Sequence, residues 1–139
     1  MAQKYIENPL IIRKRKFDIR QWVALTDFKP FRVWVYEECY IRFCAELYTP
    51  ENLKNRKIHL TNNSVTKGET TLKDGIEENM MDEASFAKEL ESLEGKEMFN
   101  SVIRPQINRI AVEALESVKE NIVSRKNTLE LFGFDFMVD

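Results

Sequence analysis

Lys16, Asp18 and Arg20 occupy alternating positions in Lys16-Phe17-Asp18-Ile19-Arg20-Gln21-Trp22, a segment that otherwise has the composition of a β-strand. Side chains alternate across a strand, so Phe17, Ile19, Val23 and Leu25 fall on one face and Lys16, Asp18, Arg20 and Trp22 on the other. An unpaired buried charge costs several kcal/mol, so a row of charges of both signs calls for a wet cleft, a metal or a charged ligand. Two other strand-like segments carry the same signature. Arg42 lies opposite Ile41 and Phe43 in Cys39-Tyr40-Ile41-Arg42-Phe43, and Asp135 lies opposite Phe132, Phe134, Phe136 and Val138. A lone carboxylate in so apolar a strand suggests a metal or a buried cation.

The elements that must position these residues follow from periodicity and turn chemistry. Gln3 to Ile6 reads as a short strand broken by Glu7-Asn8-Pro9, followed by apolar Leu10-Ile11-Ile12 and the basic run Arg13-Lys14-Arg15-Lys16. A strand over 16–26, a turn at Asp27-Phe28-Lys29-Pro30 and a returning strand Phe31 to Tyr36 predict a hairpin. Glu37-Glu38 reads as the next turn, giving a meander whose third strand is Cys39 to Phe43. Residues 46–58 read as a loop holding a helical turn at Thr49-Pro50-Glu51-Asn52-Leu53. Ile58 to Val65 reads as a strand and Thr66 to Asn79 as a polar loop. Asp82 or Ser85 caps a helix to about Glu94 with Phe86, Leu90 and Leu93 on one stripe, and Gly95 ends it. Met98, Phe99, Val102 and Ile103 keep helical spacing up to Pro105. Ile107, Ile110, Ala111, Ala114, Leu115, Val118 and Ile122 give the strongest helix. Ser124 to Asn127 is a loop and Leu129 to Val138 a last strand. The sum is an α+β fold, an antiparallel sheet with flanking helices.

Composition narrows the classes. The chain has 139 residues, 43% hydrophobic and 32% charged, which suits one domain or a piece of one. A net charge of −2 gives no global field for nucleic acid or an anionic membrane. No apolar run approaches the roughly 20 residues that span a bilayer, and Met1-Ala2-Gln3-Lys4 lacks a signal-peptide pattern. Cys39 and Cys44 are five apart, so on one strand they take opposite faces, and they read as reduced, half-buried thiols. His59 is the single histidine, which excludes a multi-histidine metal site within the chain and reads as a structural hydrogen-bonding residue. Trp22 and Trp34 read as packing residues.

Five motifs occur in order: Gln3-Lys4-Tyr5-Ile6, Arg15-Lys16-Phe17-Asp18-Ile19-Arg20-Gln21-Trp22, Tyr40-Ile41-Arg42-Phe43, His59-Leu60-Thr61-Asn62-Asn63-Ser64 and Leu131-Phe132-Gly133-Phe134-Asp135-Phe136-Met137-Val138-Asp139. Together they resemble the tubulin–tyrosine ligase-like family, whose catalytic domain is an ATP-grasp fold, over essentially the whole chain. Gln21-Trp22 and the segment Tyr40 to Asn63 look closer to the glycine-adding members. The resemblance implies that Gln3, Lys4, Tyr5 and Ile6 line an adenine pocket; the plain alternative is an edge strand. It sets Lys16 beside phosphate oxygens and Asp18 near the ribose or metal, against a solvated salt bridge. Arg20 and Arg42 would hold a carboxylate, since the guanidinium fork binds one bidentately; otherwise they are arginines on a wet sheet face. Thr61 and Asn62 would touch the phosphates or the metal shell, or simply cap a turn. Asp135 would be a magnesium ligand, or a carboxylate paired to a buried cation. The basic run at 13–16 is either a solvated loop or an attractor for the acidic C-terminal tails of tubulin.

The resemblance implies the following chemistry. ATP activates a carboxylate to an acyl-phosphate, a free amino acid (glycine best fits) attacks it, and Mg2+ and fixed cations offset the charge on the phosphoryl oxygens. A sequence without a Ser-His-Asp or Cys-His arrangement suits that. Tubulin would be the partner, in a cytoplasmic and cytoskeletal setting that extends to the cilium or flagellar axoneme, with no nucleic acid or membrane involved. The family's pattern continues past Phe-Met-Val-Asp to a Glu-x-Asn strand and begins with a lysine-bearing lobe. The expectation is therefore the carboxy-terminal portion of a catalytic domain, cut at both ends. The alternative is a non-catalytic module that binds acidic peptides.

Overall fold

The computed structural model describes residues 4–62, 79–121, 123 and 128–139. The described residues form five antiparallel strands with the longer helices packed against one face of them, the predicted fold class. β1 (Ile11–Ile12) and β5 (Glu130–Phe136) both pair with β2 (Arg15–Phe28), at different points along its length. β3 (Phe31–Phe43) takes the other edge of β2, and β4 (Met80–Asp82) closes on the end of β3.

β1 turns into β2 through Arg13 and Lys14 alone. Both have positive φ, 52° and 57°, which a tight two-residue hairpin requires and which non-glycine residues adopt at a cost. Arg13 recovers part of that cost through its ion pair with Glu89, at 2.8 Å. The basic run is thus neither a solvated loop nor a uniform patch: Arg15 and Lys16 are buried. The next hairpin turns at Lys29-Pro30, which is joined by a cis peptide.

β3 corrects the predicted meander, because Glu37 and Glu38 lie within one 13-residue strand. The ladder passes from Gln21↔Cys39 to Val23↔Val35, so Tyr36, Glu37 and Glu38 face Trp22 across a bulge. Both glutamates are exposed there, which is why charge is tolerated in mid-strand. Gln21, fully buried, satisfies the bulged backbone by donating from Nε2 to Tyr36 O at 2.7 Å and Trp22 O at 3.1 Å.

The predicted strand Ile58 to Val65 is also corrected. Arg56–His59 form a short helix, α1, capped by Asn55 and anchored by buried Ile58, while Asn63 to Val65 lie outside the described residues. The helical turn predicted at Thr49 to Leu53 is absent, and Lys4 to Ile6 form no strand. The polar loop predicted from Thr66 lies outside the described residues except for Asn79, as do Ile122 and the predicted loop Ser124 to Asn127.

α2 (Glu83–Glu94) starts at Asp82, whose side chain accepts from Ser85 N, and stops at Gly95, whose φ of 70° is the left-handed cap glycine allows. Phe86 and Leu90 are buried, but Leu93 is 60% exposed, so the inward stripe is narrower than predicted. Phe99–Ile103 form a π-helical turn running into α3 (Arg104–Val118). Pro105 explains the widened turn, since it has no N–H to offer the preceding turn. On α3, Ile107, Ala111 and Leu115 face the sheet, whereas Ile110 and Val118 are about two-fifths exposed, at 41% and 42%.

The core lies between these helices and the apolar faces of β2 and β3. Phe17 meets Phe43 and Phe86, and Phe86 meets Phe99, with ring centroids 5.3–5.9 Å apart. The opposite face of the sheet is left to polar and aromatic side chains.

Candidate functional site

β2, β3 and β5 bring four charged residues together on the face turned away from α2 and α3. Asp18 stands across the ladder from Arg42, and Arg20 stands across from Asp135. Arg42 grips Asp18 with a two-point fork, Nε to Oδ1 at 2.8 Å and Nη2 to Oδ2 at 2.6 Å. The same Nη2 lies 2.9 Å from Asp135 Oδ1, and Arg20 Nε lies 2.9 Å from that oxygen too. Thr61, arriving from beyond α1, donates its hydroxyl to Asp18 Oδ2 at 2.6 Å. The result is a chain of alternating sign, Asp18–Arg42–Asp135–Arg20.

Burial grades along this chain. Asp18 and Arg42 are each 7% exposed, while the Asp135 side chain is 44% exposed and opens toward solvent. The carboxylates hold Arg42 more firmly cationic than usual: the Asp18 hydrogen bond raises its pKa against the opposing effect of burial. Arg20 is less settled. Its buried Nε is close to Asp135, yet its N–H makes no aligned hydrogen bond. Its guanidinium lies 5.4 Å from the Trp22 ring centroid and crosses directly over Gly133, where a Cβ would stand 2.1 Å from Nη1.

Lys16 extends the cluster along β2. Its ammonium sits 4.4 Å from the Tyr5 ring centroid and donates to the Tyr5 hydroxyl at 3.3 Å. Burial pulls its pKa down, with the nearby Cys44, Tyr48 and Asp18 acting in the opposite sense. Three cations (Lys16, Arg20, Arg42) against two carboxylates (Asp18, Asp135) leave the face one net positive charge, which suits an anion.

The structure therefore brings together Tyr5, Lys16, Asp18, Arg20, Arg42, Thr61 and Asp135. It leaves others apart. Lys4 faces solvent, with Nζ 3.9 Å from Glu7 Oε1, Asn62 is exposed, and Gln3 lies outside the described residues. Trp34 is 62% exposed, with its indole bonded to Thr26 Oγ1, so it is not the packing residue predicted. Cys39 and Cys44 are free and buried rather than half-buried as predicted, and burial pushes their thiols up to about 12 and about 11. His59 is hydrogen-bonded, as predicted.

Sequence reasoning missed the network behind the site. Arg104, at the start of α3, donates to Gln21 Oε1 at 2.8 Å and pairs with Glu83, which accepts from Cys39 N at 2.8 Å. These partners are too far apart in the chain for any local pattern to reveal them; the one local signal was a glutamine on the apolar face of β2. Among the described residues no group of three or more His, Cys, Asp or Glu side chains gathers as a metal cage. Magnesium needs only one or two carboxylates beside phosphate oxygens, and both arginine contacts of Asp135 engage Oδ1, so its second oxygen fits a ligand of that kind.

No described helix is long and apolar enough to cross a membrane. The family model for the tubulin-tyrosine ligase family matches residues 1–139. The chain is 49% identical, over its whole length, to tubulin glycylase 3C of Tetrahymena thermophila, of which it covers 13%. It is 40% identical over 99% of its length to tubulin glycylase 3A of Drosophila melanogaster, covering 14% of that protein. It is 35% identical over 99% of its length to tubulin monoglycylase TTLL3 of Mus musculus, covering 15%. The chain thus spans well under a fifth of each of these relatives.

Proposed function

The chain belongs to the tubulin-tyrosine ligase family, and from that premise we propose that it forms part of an ATP-dependent ligase that adds an amino acid, glycine by its relatives' names, to the acidic tails of tubulin. The observation that carries the proposal is the row Lys16, Asp18, Arg20, Arg42 and Asp135, aimed from three strands onto one face with a net positive charge. It would form the carboxy-terminal portion of an ATP-grasp catalytic domain.

In this reading Lys16 meets phosphate oxygens, with Tyr5 closing the base side. Arg42, locked by Asp18 and Thr61, presents a fixed cation, which suits charge that builds on transferred phosphoryl oxygens. Arg20, the less firmly held arginine, is free to turn from Asp135 toward a substrate carboxylate. Asp135 would hold Mg2+ together with the nucleotide phosphates, and the ion would offset phosphoryl charge. Thr61 and Asn62 flank the phosphate side, and Gln3, Lys4 and Ile6 belong with the adenine. The tail carboxylate would take the γ-phosphoryl group of ATP, releasing ADP, and the amine of the free amino acid would displace phosphate from the resulting acyl-phosphate to form the amide bond. A cytoskeletal setting, including cilia, follows from the tubulin partner.

The test is incorporation of labelled glycine into tubulin tail peptides by the full-length protein, with Mg-ATP present or withheld. Nucleotide-dependent product, lost in Arg20→Ala and Asp135→Asn, is expected. No product and no heat on titration with Mg-ATP would reject the ligase. Tail binding indifferent to nucleotide would instead identify a non-catalytic module for acidic peptides.

A further inference from the structure

We infer that His59 is a positioning residue for Lys16, acting through Tyr5; the inference rests on the nucleotide reading above only for its consequence, not for its geometry. His59 Nε2 lies 3.0 Å from the carbonyl oxygen of Asn52. A carbonyl only accepts, so Nε2 carries the hydrogen and the neutral ring presents Nδ1 as an acceptor. Tyr5 hydroxyl lies 2.8 Å from Nδ1 and therefore donates to it. That fixes the rotation of the phenolic hydrogen and turns the oxygen's lone pairs toward the remaining neighbours. One of them receives Lys16 Nζ at 3.3 Å.

The relay therefore has one direction: Lys16 donates to Tyr5, Tyr5 to His59, and His59 to the main chain of Asn52. The tyrosine rings clamp the imidazole edge-on, at 5.9 Å and 6.0 Å between centroids. Asn52 O also accepts from the backbone N–H of Asn55, the capping residue of α1, at 3.2 Å, and buried Ile58 anchors that helix. A lysine on a flexible stem is a poor fixed charge by itself. Here its ammonium is held from below by the Tyr5 ring and from the side by an oxygen whose orientation His59 sets. His59 neither touches the cluster of arginines and aspartates nor needs to, because its effect reaches the anion side through Lys16.

Two measurements on the full chain test this. His59 is the single histidine, so a long-range proton–nitrogen correlation spectrum of the 15N-labelled chain reads its tautomer directly. The expected result, with no nucleotide present, is the Nε2–H tautomer, with Tyr5→Phe shifting the Nδ1 signal and admitting the Nδ1–H form. A dominant Nδ1–H form in the unmodified chain, or a Tyr5→Phe spectrum that superimposes on it, overturns the inference whatever the chain does with nucleotide. The second measurement is Mg-ATP titration of two variants. In His59→Asn the side-chain oxygen stands where Nδ1 stood and keeps the acceptor; in His59→Phe the ring remains and the acceptor goes. Affinity within about twofold of the unmodified chain is expected for His59→Asn, and a loss of about five- to tenfold for His59→Phe. Equal losses in both would show that His59 only supports the fold and would overturn the relay. If no variant and no unmodified chain binds Mg-ATP, the tautomer result alone decides the relay, and the nucleotide reading is decided by the ligation test on the full-length protein.

Discussion

Asp18 and Arg42 are cross-strand partners that spend the full hydrogen-bonding fork of one on the full carboxylate of the other, at 2.8 Å and 2.6 Å, in a buried setting. Removing Arg42 leaves the buried Asp18 carboxylate only the Thr61 hydroxyl, and removing Asp18 leaves Arg42 only its contact with the more exposed Asp135. Asp18→Asn or Arg42→Met should each cost about 3–5 kcal/mol of stability, whereas the pair Asp18→Asn with Arg42→Met should cost less than the sum of the two. Urea unfolding of the four chains checks this, and additive losses would contradict a coupled pair.

Gly133 serves Arg20 rather than its own backbone. Any side chain there collides with the guanidinium, the far end of a flexible side chain, and approaches Trp22 at 3.2 Å. Gly133→Ala should thus displace Arg20 from Asp135 at a stability cost of only about 1 kcal/mol, the low end for added bulk. If Arg20 holds the tail carboxylate as proposed, the same substitution should weaken tail-peptide binding as much as Arg20→Ala does. Unfolding and peptide titration together separate the two effects; a large stability loss with intact binding would contradict this role.

What was legible in the sequence was the face, not the depth. Alternation along β2 placed Lys16, Asp18 and Arg20 together, and the ladder then brought Arg42 and Asp135 opposite them. Burial in depth depends on neighbours from distant segments. Nothing within Arg13 to Lys16 distinguishes the two residues of a tight turn from the two that run beneath Phe43 and Tyr5. Glu37 and Glu38 imitate a turn because a bulge exposes them just as a turn would. Ile58 is as apolar as a strand residue, yet α1 buries it with a single helical turn. The relay through Tyr5 and His59 spans 54 residues and has no local signature.

Leu90 and Leu93 have equal claims on the inner stripe of α2 by spacing, but the fold buries only Leu90. Leu90 also borders a cavity of about 300 Å3 with Met98, Ile107 and Phe136, so truncation enlarges a void that already exists. Leu90→Ala should cost about 2–5 kcal/mol and Leu93→Ala no more than about 0.5 kcal/mol. Denaturant midpoints with unchanged slope would confirm the contrast, and similar losses would refute the orientation of α2.

The two thiols make stability depend on alkaline pH in a definite direction. Burial is the leading cause of both shifts, from 9.0 to about 12 for Cys39, where Glu83 adds to it, and from 9.0 to about 11 for Cys44. A folded thiol that keeps its proton while the unfolded one ionises favours the unfolded chain as pH rises. The contribution is therefore intact below about pH 9 and is lost as pH climbs from there through about 11 and then about 12. Lys16 opposes this weakly: its folded pKa lies below the ordinary 10.5, so the cost of burying its charge is relieved as pH rises through that lowered value. Unfolding free energy measured at intervals between pH 8 and pH 10.5 should fall, and the fall should be shallower in Cys39→Ala and in Cys44→Ala, each of which removes one titrating thiol. Iodoacetamide should label both cysteines slowly in buffer and rapidly in urea at the same pH. A flat stability profile, or fast labelling of the folded chain, would show that the two thiols are not shielded from water as their burial requires.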